Sequence, residues 1–596
     1  MKKIISLILI SLLCLSLTAC SSKEEETVKG TYNAGTYTGT AVGHGGDFKV
    51  DVTLSADKIE SITVVENNET SGFGDVAAEK IIGQIIANQS LKDVDIATGA
   101  TLSSLAVNNA IVDALNNAGA DVDALRKVEV VKGEAKDETL DVDVVVVGSG
   151  AAGLTAAYEA ASAGSSVVIL EKLSRNGGAT RTSSGMLVAG GTSLQQKAGI
   201  EDSTENLINY WLERGEGQVD EEMVRFVANN INDALDLFIS MGVDYNENLI
   251  LQSGTATINR AHMPSGAGAM LCDALVSEVN KLGVEILTDT EATSLITDEN
   301  GTVVGVKANT NNGTLTVNAK AVVLATGGYG ASQDMLALYS PEAVGAWSCS
   351  APQNTGDGLT MAIEVGADTV FKGGFIGWKV CTPLYDHTTA IGAPVYGAPQ
   401  LIVDLNGDRM GNESLDYPFV YEEWTKANAT DFYYIFQGGS GETKDLVNNV
   451  SNTVANLELG VEAGVCYKAD TLEELAKVSG LTNLVETVNA YNAAIDSGSD
   501  EFGRDTATMT KYEEGPYYAL HGQRAILGTF GGLNTNITGE VVDAEGNAIL
   551  GLYAAGEVAN GEFFNKLYPA SGSSISQCVV LGRETGRSAA AYASSK

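Results

Sequence analysis

The sequence predicts an α/β protein built on a parallel sheet, with a small α+β domain ahead of it. Two patterns predict this fold class. Residues 142–147 form a near-continuous apolar strand that leads through a glycine-rich turn at 148–153 into a helix and a second strand, which is the order of a βαβ unit. Residues 37–65 alternate apolar and polar side chains with period two, which is typical of half-buried strands. At 596 residues the chain is too long for one core, so we expect several domains.

The charge of the chain excludes one class of partner. Its net charge is −40, with 76 acidic residues. Nucleic-acid binding requires clustered lysine and arginine to contact phosphates, so we expect no nucleic-acid partner.

The N-terminus has the pattern of an export signal. Lys2 and Lys3 precede an apolar run at 4–17, and Leu17-Thr-Ala-Cys20 follows. This end resembles the lipobox of bacterial lipoproteins, which implies a signal peptide at 1–19, acylation of Cys20 and a tether at 20–34. An ordinary transmembrane anchor is the alternative, but the polar residues after Cys20 argue against it. We therefore expect a lipid anchor as the only membrane attachment, on the outer face of the bacterial cytoplasmic membrane.

The small domain spans 35–118 and contains three predicted strands and two predicted helices, at 77–88 and 102–117. Its marks are Gly43-His-Gly-Gly46, Glu69-Thr70 and Thr98-Gly-Ala-Thr101. It resembles the FMN-binding domain of bacterial respiratory flavoproteins, which implies that a flavin transferase attaches FMN covalently to Thr101 Oγ. The helix after Thr101 offers free N–H groups and a positive dipole end to a phosphate. The alternative is that Thr101 is only a helix N-cap. Residues 119–140 are predicted to be an acidic linker.

The βαβ unit carries the marks of a dinucleotide site. Gly148-Ser-Gly-Ala-Ala-Gly153 joins strand to helix, and Glu171 ends the second strand, placed to accept hydrogen bonds from ribose hydroxyls. This unit by itself suits FAD and NAD equally.

Further motifs narrow the choice of cofactor. They are Gly177-Gly178, Ala325-Thr-Gly-Gly328, Asn354-Thr-Gly-Asp-Gly358, Gly551-Leu-Tyr-Ala-Ala-Gly-Glu557 and Ser571-Gly-Ser-Ser-Ile-Ser576. With them, residues 141–596 resemble the fumarate reductase/succinate dehydrogenase flavoprotein superfamily. The resemblance implies a Rossmann-like FAD-binding domain in two parts, 141–368 and 520–596, with an inserted α+β capping domain at 369–519.

The resemblance also implies a set of FAD-binding residues. Where the family has a covalent histidine, this chain has Ala179-Thr-Arg-Thr-Ser-Ser184, so we expect FAD to be non-covalent. The expected FAD-binding residues are Gly148, Gly150, Ala152, Gly153, Glu171, Lys172, Gly178, Ala179, Thr180, Gly185, Thr326, Gly327, Asp357, Glu557, Ser573, Ser574 and Ile575.

One segment of the capping domain matches the family's source of a catalytic arginine. It reads Asn406-Gly-Asp-Arg-Met-Gly-Asn-Glu413. The resemblance implies that Arg409 protonates the substrate carbon opposite the flavin, with Glu413 as its partner. A surface turn with a salt bridge is the alternative.

The family's carboxylate clamps are missing from this chain. Residues 375–382, 391–396 and 527–528 replace the histidines and the Thr-Glu pair of fumarate enzymes, so fumarate is not the expected substrate. Tyr568-Pro-Ala-Ser-Gly572 instead resembles the tyrosine–glycine pair of 3-ketosteroid dehydrogenases, which implies that Tyr568 and Gly572 polarise a carbonyl oxygen. The alternative is that Tyr568 only packs under the flavin. Trp378 and Tyr396 are candidates for lining the substrate pocket, with core packing as the alternative.

Together these features predict an extracytoplasmic, flavin-dependent reductase of an activated C=C bond in an enone or a bulky α,β-unsaturated carboxylate. The chain has no C-x-x-C motif, so we expect no metal, cluster or haem, and electrons pass from FMN to FAD to substrate. A membrane or surface flavin or quinol donor supplies them, with the substrate as terminal acceptor in anaerobic respiration. The alternatives are a fumarate or urocanate-like reductase, a 3-ketosteroid-type dehydrogenase and a pure electron-transfer flavoprotein.

Overall fold

The structure is a computed structural model, and its described residues form two compact units. It describes residues 32–596 apart from 44–45, 70–71, 99, 131–134, 254–255, 349–352, 382–400, 428, 430 and 438–453. The larger unit contains 69–77, 97–104 and the chain from 133 onward, and the smaller unit contains the rest. Cys20 and Tyr396 lie outside the described residues, as does the side chain of Trp378.

The smaller unit contains a three-stranded antiparallel sheet in the order β1-β2-β3. Phe48, Val50 and Val52 alternate into its core, which confirms the period-two prediction. A short helix lies within the predicted linker because Asp121 caps it and Val122 and Leu125 are buried. The elements up to residue 125 are β1 (Gly35–Val42), β2 (Asp47–Leu54), β3 (Ile59–Asn67), α1 (Gly74–Asn88), α2 (Thr101–Asn117) and α3 (Val122–Leu125).

The larger unit contains the rest of the regular structure. Its first half comprises β4 (Glu138–Val147), α4 (Ala151–Ser162), β5 (Val167–Leu170), α5 (Gly178–Thr182), β6 (Leu187–Val188), α6 (Ser193–Lys197), α7 (Thr204–Gly215), α8 (Glu221–Ser240), β7 (Tyr245–Leu251), β8 (Ala261–Pro264), α9 (Ala267–Lys281), β9 (Glu285–Leu287), β10 (Glu291–Thr297), β11 (Val303–Thr310) and β12 (Gly313–Leu324).

Its second half continues to the last helix of the chain. It comprises α10 (Gln333–Tyr339), β13 (Trp347–Ser348), α11 (Asp357–Glu364), β14 (Thr369–Val370), β15 (Phe375–Cys381), β16 (Leu401–Val403), α12 (Tyr417–Lys426), β17 (Asp431–Gln437), α13 (Val454–Glu462), β18 (Cys466–Ala469), α14 (Leu472–Ser479), α15 (Leu484–Ser497), β19 (Tyr517–Thr529), β20 (Gly532–Leu533), β21 (Glu540–Val542), β22 (Ala548–Ala554) and α16 (Ser573–Ser594).

The central sheet has the order β10-β11-β12-β4-β5-β9, with β22 also paired to β12. Strands β12, β4, β5 and β9 run parallel, and residues 144–147 of β4 are buried. Helix α16 packs closely on α4, since a Cβ at Gly586 would lie 2.2 Å from the carbonyl oxygen of Ala156. This arrangement confirms the predicted α/β fold and puts the glycine-rich turn at the carboxyl ends of the strands.

A second sheet lies mainly in the predicted capping segment, 369–519. It has the order β13-β19-β17-β16, with β15 and β18 also paired to β19. Strand β19 crosses the predicted domain boundary at 519/520, because the inserted strands need it as their shared neighbour. Helices α14 and α15 enclose a separate core that includes Leu475, Leu484 and Tyr491.

Within the described part of the chain, none of the helices combines the length and apolar character needed to cross a membrane.

Candidate functional site

A cavity opens at the carboxyl end of β4. In parallel sheets this edge is where ligands bind. Twelve residues predicted from the sequence line it together: Gly148, Gly150, Ala152, Glu171, Lys172, Gly178, Ala179, Thr180, Thr326, Gly327, Asp357 and Glu557.

The glycines of the β4–α4 turn have two different roles. A Cβ at Gly153 would lie 1.9 Å from the carbonyl oxygen of Gly148, so Gly153 allows the helix to pack against the turn. A Cβ at Gly150 would meet only Thr180 Oγ1, at 3.9 Å, so this side of the turn faces open space. Gly150 is also the N-cap of α4. The turn therefore leaves room for a phosphate at a helix N-terminus.

Glu171 is held in place at the end of β5. Its Oε2 accepts a hydrogen bond from Ser149 N at 3.0 Å, and its Oε1 accepts one from Leu173 N at 2.9 Å. Carboxylate oxygens have further lone pairs, so the predicted bonds to ribose hydroxyls remain compatible with these contacts. Lys172 Nζ forms an ion pair with Asp357 Oδ2 at 2.5 Å, which joins two predicted binding residues across the cavity wall.

Two titratable groups that line this cavity, Glu557 and the Cys578 thiol, have a pKa raised by burial. Glu557 Oε1 accepts hydrogen bonds from Thr529 N at 2.7 Å and from Thr529 Oγ1 at 3.1 Å. Burial raises the pKa of Glu557 to about 6, although hydrogen bonds from Thr529 and from the backbone of Gly328 favour the charged form. Glu557 therefore changes protonation near neutral pH.

Two buried polar atoms of residues that line the cavity, Thr326 Oγ1 and Gln353 Oε1, have no hydrogen-bond partner within the described structure. Ser573 Oγ and Gln577 Oε1 on α16, whose residues do not line the cavity, are also unpaired there. Buried polar atoms in native proteins are nearly always paired, so such a group of orphans points to a bound ligand. The hydroxyl, phosphate and ring carbonyl groups of FAD fit this donor and acceptor set.

Five predicted FAD residues do not line the cavity: Gly153, Gly185, Ser573, Ser574 and Ile575. Gly185 packs closely against α9, because a Cβ there would lie 2.8 Å from Gly268 N, and its role in FAD binding stays a prediction. Sequence motifs missed Thr290, Glu291, Ala292, Met361 and Cys578, which do line the cavity. Residues 290–292 follow β9, and only the sheet order shows that the end of β9 lies at this edge.

Tyr568 and Gly572 lie together, but in a different arrangement from the one predicted. Gly572 N donates a hydrogen bond to Tyr568 Oη at 3.2 Å, and Ser574 N donates to the same oxygen at 3.1 Å. The tyrosine ring packs near Phe530 and Phe564, with centroids 5.6 and 5.7 Å away. The hydroxyl therefore accepts hydrogen bonds from backbone N–H groups at the start of α16. A substrate carbonyl would have to replace it as the acceptor of the Gly572 N–H group.

Arg409 lies in a buried ion-pair network of the capping domain. Its Nε and Nη2 donate to the two oxygens of Glu413 at 2.9 and 2.8 Å, and its Nη1 donates to Asp500. Arg504 Nη1 also donates to Glu413, at 2.9 Å. The predicted pairing of Arg409 with Glu413 is thus present.

The network does not reach the β4 cavity. Arg409 lines another cavity, together with Tyr491, Asp500 and Phe502, and it is not among the residues that line the first one. Its guanidinium lies 5.0 Å from the Tyr491 ring centre and 4.9 Å from that of Phe502. This geometry favours a structural role, and proton donation by Arg409 stays a prediction.

Comparison with known proteins decides the family. The FAD binding domain model matches residues 143–575, and the FMN-binding domain model matches residues 43–116. The chain belongs to the FAD binding domain family. Its N-terminal FMN-binding domain agrees with the small domain predicted from the sequence.

Individual relatives of this FAD-binding protein agree with that assignment. A urocanate reductase of Eggerthella lenta is 31% identical over 97% of this chain and 96% of its own length. The open conformation of a flavocytochrome c3 fumarate reductase superposes with a TM-score of 0.65, at 29% identity, over 76% of this chain and 79% of that one. A 3-ketosteroid-Δ4-(5α)-dehydrogenase of Rhodococcus jostii has a TM-score of 0.58, at 27% identity, over 77% of this chain and all of that one. The chain is therefore an FAD-dependent oxidoreductase.

Thr101 begins α2 and is exposed. The segment 97–104 belongs to the larger unit, and Thr98 N donates a hydrogen bond to Ser174 Oγ at 2.9 Å. The attachment of FMN to Thr101 remains a prediction, with which the exposure of this residue is compatible.

Proposed function

We propose that this protein reduces an activated C=C bond in an enone or a bulky α,β-unsaturated carboxylate, with electrons passing from FMN on Thr101 to FAD and then to the substrate. The observation that carries the proposal is the FAD cavity combined with the Tyr568–Gly572 pair in place of carboxylate-binding residues. Relatives named for urocanate, acrylate and vinyl phenol support the reductive direction.

The aromatic surroundings of Tyr568 support a bulky apolar substrate. Phe530 and Phe564 stack with centroids 4.6 Å apart and lie beside the tyrosine ring. The nearby Lys566 is already paired with Glu342 and Glu422, so it is a poor partner for a substrate carboxylate. A dicarboxylate such as fumarate would therefore find little compensating charge at this place.

The residues of the chain have separable tasks in the reaction. When bound, FAD supplies the hydride. Tyr568 Oη and Gly572 N polarise the substrate carbonyl, and each donor of this kind contributes ~3–4 kcal/mol to transition-state stabilisation. Glu557 holds a cavity wall through Thr529. Proton donation by Arg409 stays a prediction, because its ion pairs with Glu413 and Asp500 favour a structural role.

An acceptor screen tests the function. The holoprotein is reduced with a viologen dye and offered enones, cinnamate-type acids, urocanate and fumarate. We expect oxidation of the dye by an enone or aryl acrylate at least 100-fold faster than by fumarate. Fumarate as the best acceptor would overturn the substrate class, and the absence of any acceptor would favour a pure electron-transfer protein.

We also propose that the chain is lipid-anchored on the outer face of the cytoplasmic membrane and receives electrons from a membrane or surface flavin or quinol donor. The Leu17-Thr-Ala-Cys20 pattern supports this location. Labelled palmitate should be incorporated into the parent protein but not into Cys20→Ser, with Cys14→Ser as the matched control. Incorporation into Cys20→Ser would refute the anchor.

A further inference from the structure

Arg175 is a buried cation with unpaired nitrogens. The residue is 5% exposed, and neither its Nε nor its Nη1 has a hydrogen-bond partner within the described structure. Burial, reinforced by the positive charge of Arg181, lowers the pKa of Arg175 to about 10. Arg181 itself donates to Asn176 Oδ1 and to Asp273 Oδ1, both at 2.7 Å. The negative charge of Glu171 offsets part of this effect, but Nε and Nη1 still lack hydrogen-bond acceptors, and an anion that bound there would stabilise the buried cation.

One segment of the larger unit, 69–77, contacts Arg175, and a second segment, 97–104, which contains Thr101, contacts the residue before it. The ring of Phe73 lies 4.1 Å from the guanidinium carbon. On the other side, Thr98 N donates to Ser174 Oγ, and Ser174 Oγ donates to Asp289 Oδ1 at 2.6 Å. The residue next to Arg175 is thus bonded to a residue three positions before Thr101.

The N-terminus of the helix that starts at Thr101 attracts an anion, but a nearby carboxylate opposes this attraction. α2 is 17 residues long, so its first turn presents unpaired N–H groups and a positive dipole end. Ser103 Oγ in that same turn donates to Glu69, whose carboxylate brings a negative charge close to Thr101. An anion on Thr101 would be repelled by Glu69, and a neighbouring cation would offset this repulsion.

We propose that Arg175 binds the phosphate of the FMN that is attached to Thr101. The inference rests on the proposed flavinylation of Thr101. A phosphodiester carries one negative charge, and the Arg175 guanidinium offers it a positive charge and unpaired N–H donors. Gly178, Ala179 and Thr180, a few residues further on, line the FAD cavity. One short stretch of chain would therefore bind the phosphate of FMN and line the FAD cavity.

Phosphorus NMR of the holoprotein tests this assignment. The protein is produced with a flavin transferase and saturated with FAD, so its spectrum contains a diester signal from FMN and pyrophosphate signals from FAD. Arg175→Gln should shift and narrow the diester signal, because the phosphate loses its charged partner and gains mobility. Arg175→Lys should shift it less. Arg126→Gln is the matched control, since Arg126 is exposed and pairs only weakly with Asp123, at 3.5 Å.

The possible failures are distinguishable from one another. A diester signal that is unchanged in both Arg175 variants would overturn the proposal, and so would pyrophosphate signals that move with it, because Arg175 would then serve FAD. Absence of any diester signal in the parent would show that Thr101 carries no FMN and would remove the basis of the inference. None of these readouts needs turnover, so a negative acceptor screen leaves the result on Arg175 standing.

Discussion

The ion-pair network around Arg409 allows two roles for this residue to be separated. If the network is structural, Arg409→Gln should destabilise the capping domain and leave the chemistry largely intact. If Arg409 donates the proton, the same change should slow turnover by ~10²–10⁴ without altering stability. The structure favours the first outcome, because all three donor nitrogens named above are bonded to carboxylates.

The size of the stability loss depends on which hydrogen bonds the two carboxylates keep in Arg409→Gln. Breaking a buried ion pair on one side costs about 3–5 kcal/mol. Glu413 keeps Arg504, and Asp500 keeps hydrogen bonds from the backbone N–H groups of Phe502 and Arg504 at 3.2 and 3.0 Å. We therefore expect the low end, about 3 kcal/mol. For a domain of this size that corresponds to a fall of about 6–12 °C in the unfolding temperature.

The pH dependence gives an independent check on the network. Burial opposes ionisation of Asp500, but hydrogen bonds from Arg409 and from the backbone of Arg504 outweigh it and lower the pKa of Asp500 below its ordinary value of 3.8. A lowered carboxyl pKa stabilises the fold above that value and ceases to do so as pH falls through the folded pKa. The stability difference between the parent and Arg409→Gln should therefore shrink below about pH 4.

Calorimetry and steady-state kinetics at 20 °C measure the two effects on the same samples. Arg225→Gln is the control, because Arg225 forms exposed pairs with Glu221 and Glu205 that contribute about 1 kcal/mol or less. The structural reasoning is refuted if Arg409→Gln unfolds at the parent's temperature while its kcat falls 100-fold or more.

Three further predictions concern the FAD cavity and its surroundings. FAD affinity should weaken as pH falls below about 6, because ribityl or ribose hydroxyls donate better to a carboxylate than to the protonated Glu557 side chain. In a fluorescence titration of FAD binding, Glu557→Gln should flatten this pH dependence. An unaltered slope in the variant would exclude Glu557 as its cause. Gly150→Ala should fold but bind FAD at least tenfold more weakly, whereas Gly153→Ala should not fold, since its Cβ would lie 1.9 Å from a carbonyl oxygen. Circular dichroism and FAD content distinguish the two variants. Equal behaviour of both would contradict the different roles given to the two glycines. Tyr568→Phe removes a hydroxyl that accepts from two backbone N–H groups and is proposed to donate to the substrate. We expect a loss of about 1–3 kcal/mol in stability and a fall of ~10²–10³ in kcat. A kcat at the parent's value would rule out the substrate role.

Local patterns were enough to predict much of the FAD cavity. The βαβ motif and the later glycine motifs contributed twelve residues that line it, because each motif combines a strand end with a turn whose backbone shape requires glycine. Glu171 and Gly150 could be assigned from spacing alone, since a strand–turn–helix unit leaves few positions that can face a ligand.

Other features depended on contacts between distant parts of the chain. Asp500 meets Arg409 across 91 residues, and this partner changes how the arginine is interpreted. The Tyr568–Gly572 pair was predicted from the resemblance to 3-ketosteroid dehydrogenases, but the direction of its hydrogen bond depends on how α16 begins. The unpaired state of Arg175 is likewise invisible in the sequence, because arginine beside an asparagine and two glycines has no periodic signature.

The sequence by itself determined the fold class, the two flavin-binding domains and the glycine turns of the FAD site, since these depend on local backbone shape and on the period of apolar residues. Only the tertiary structure decided which charged side chains are paired and which are left for a ligand. Pairing depends on which residues the folded chain brings within about 3 Å of each other. A buried charge or polar atom that is left unpaired destabilises the protein because it is desolvated, and a bound group that pairs with it removes this destabilisation.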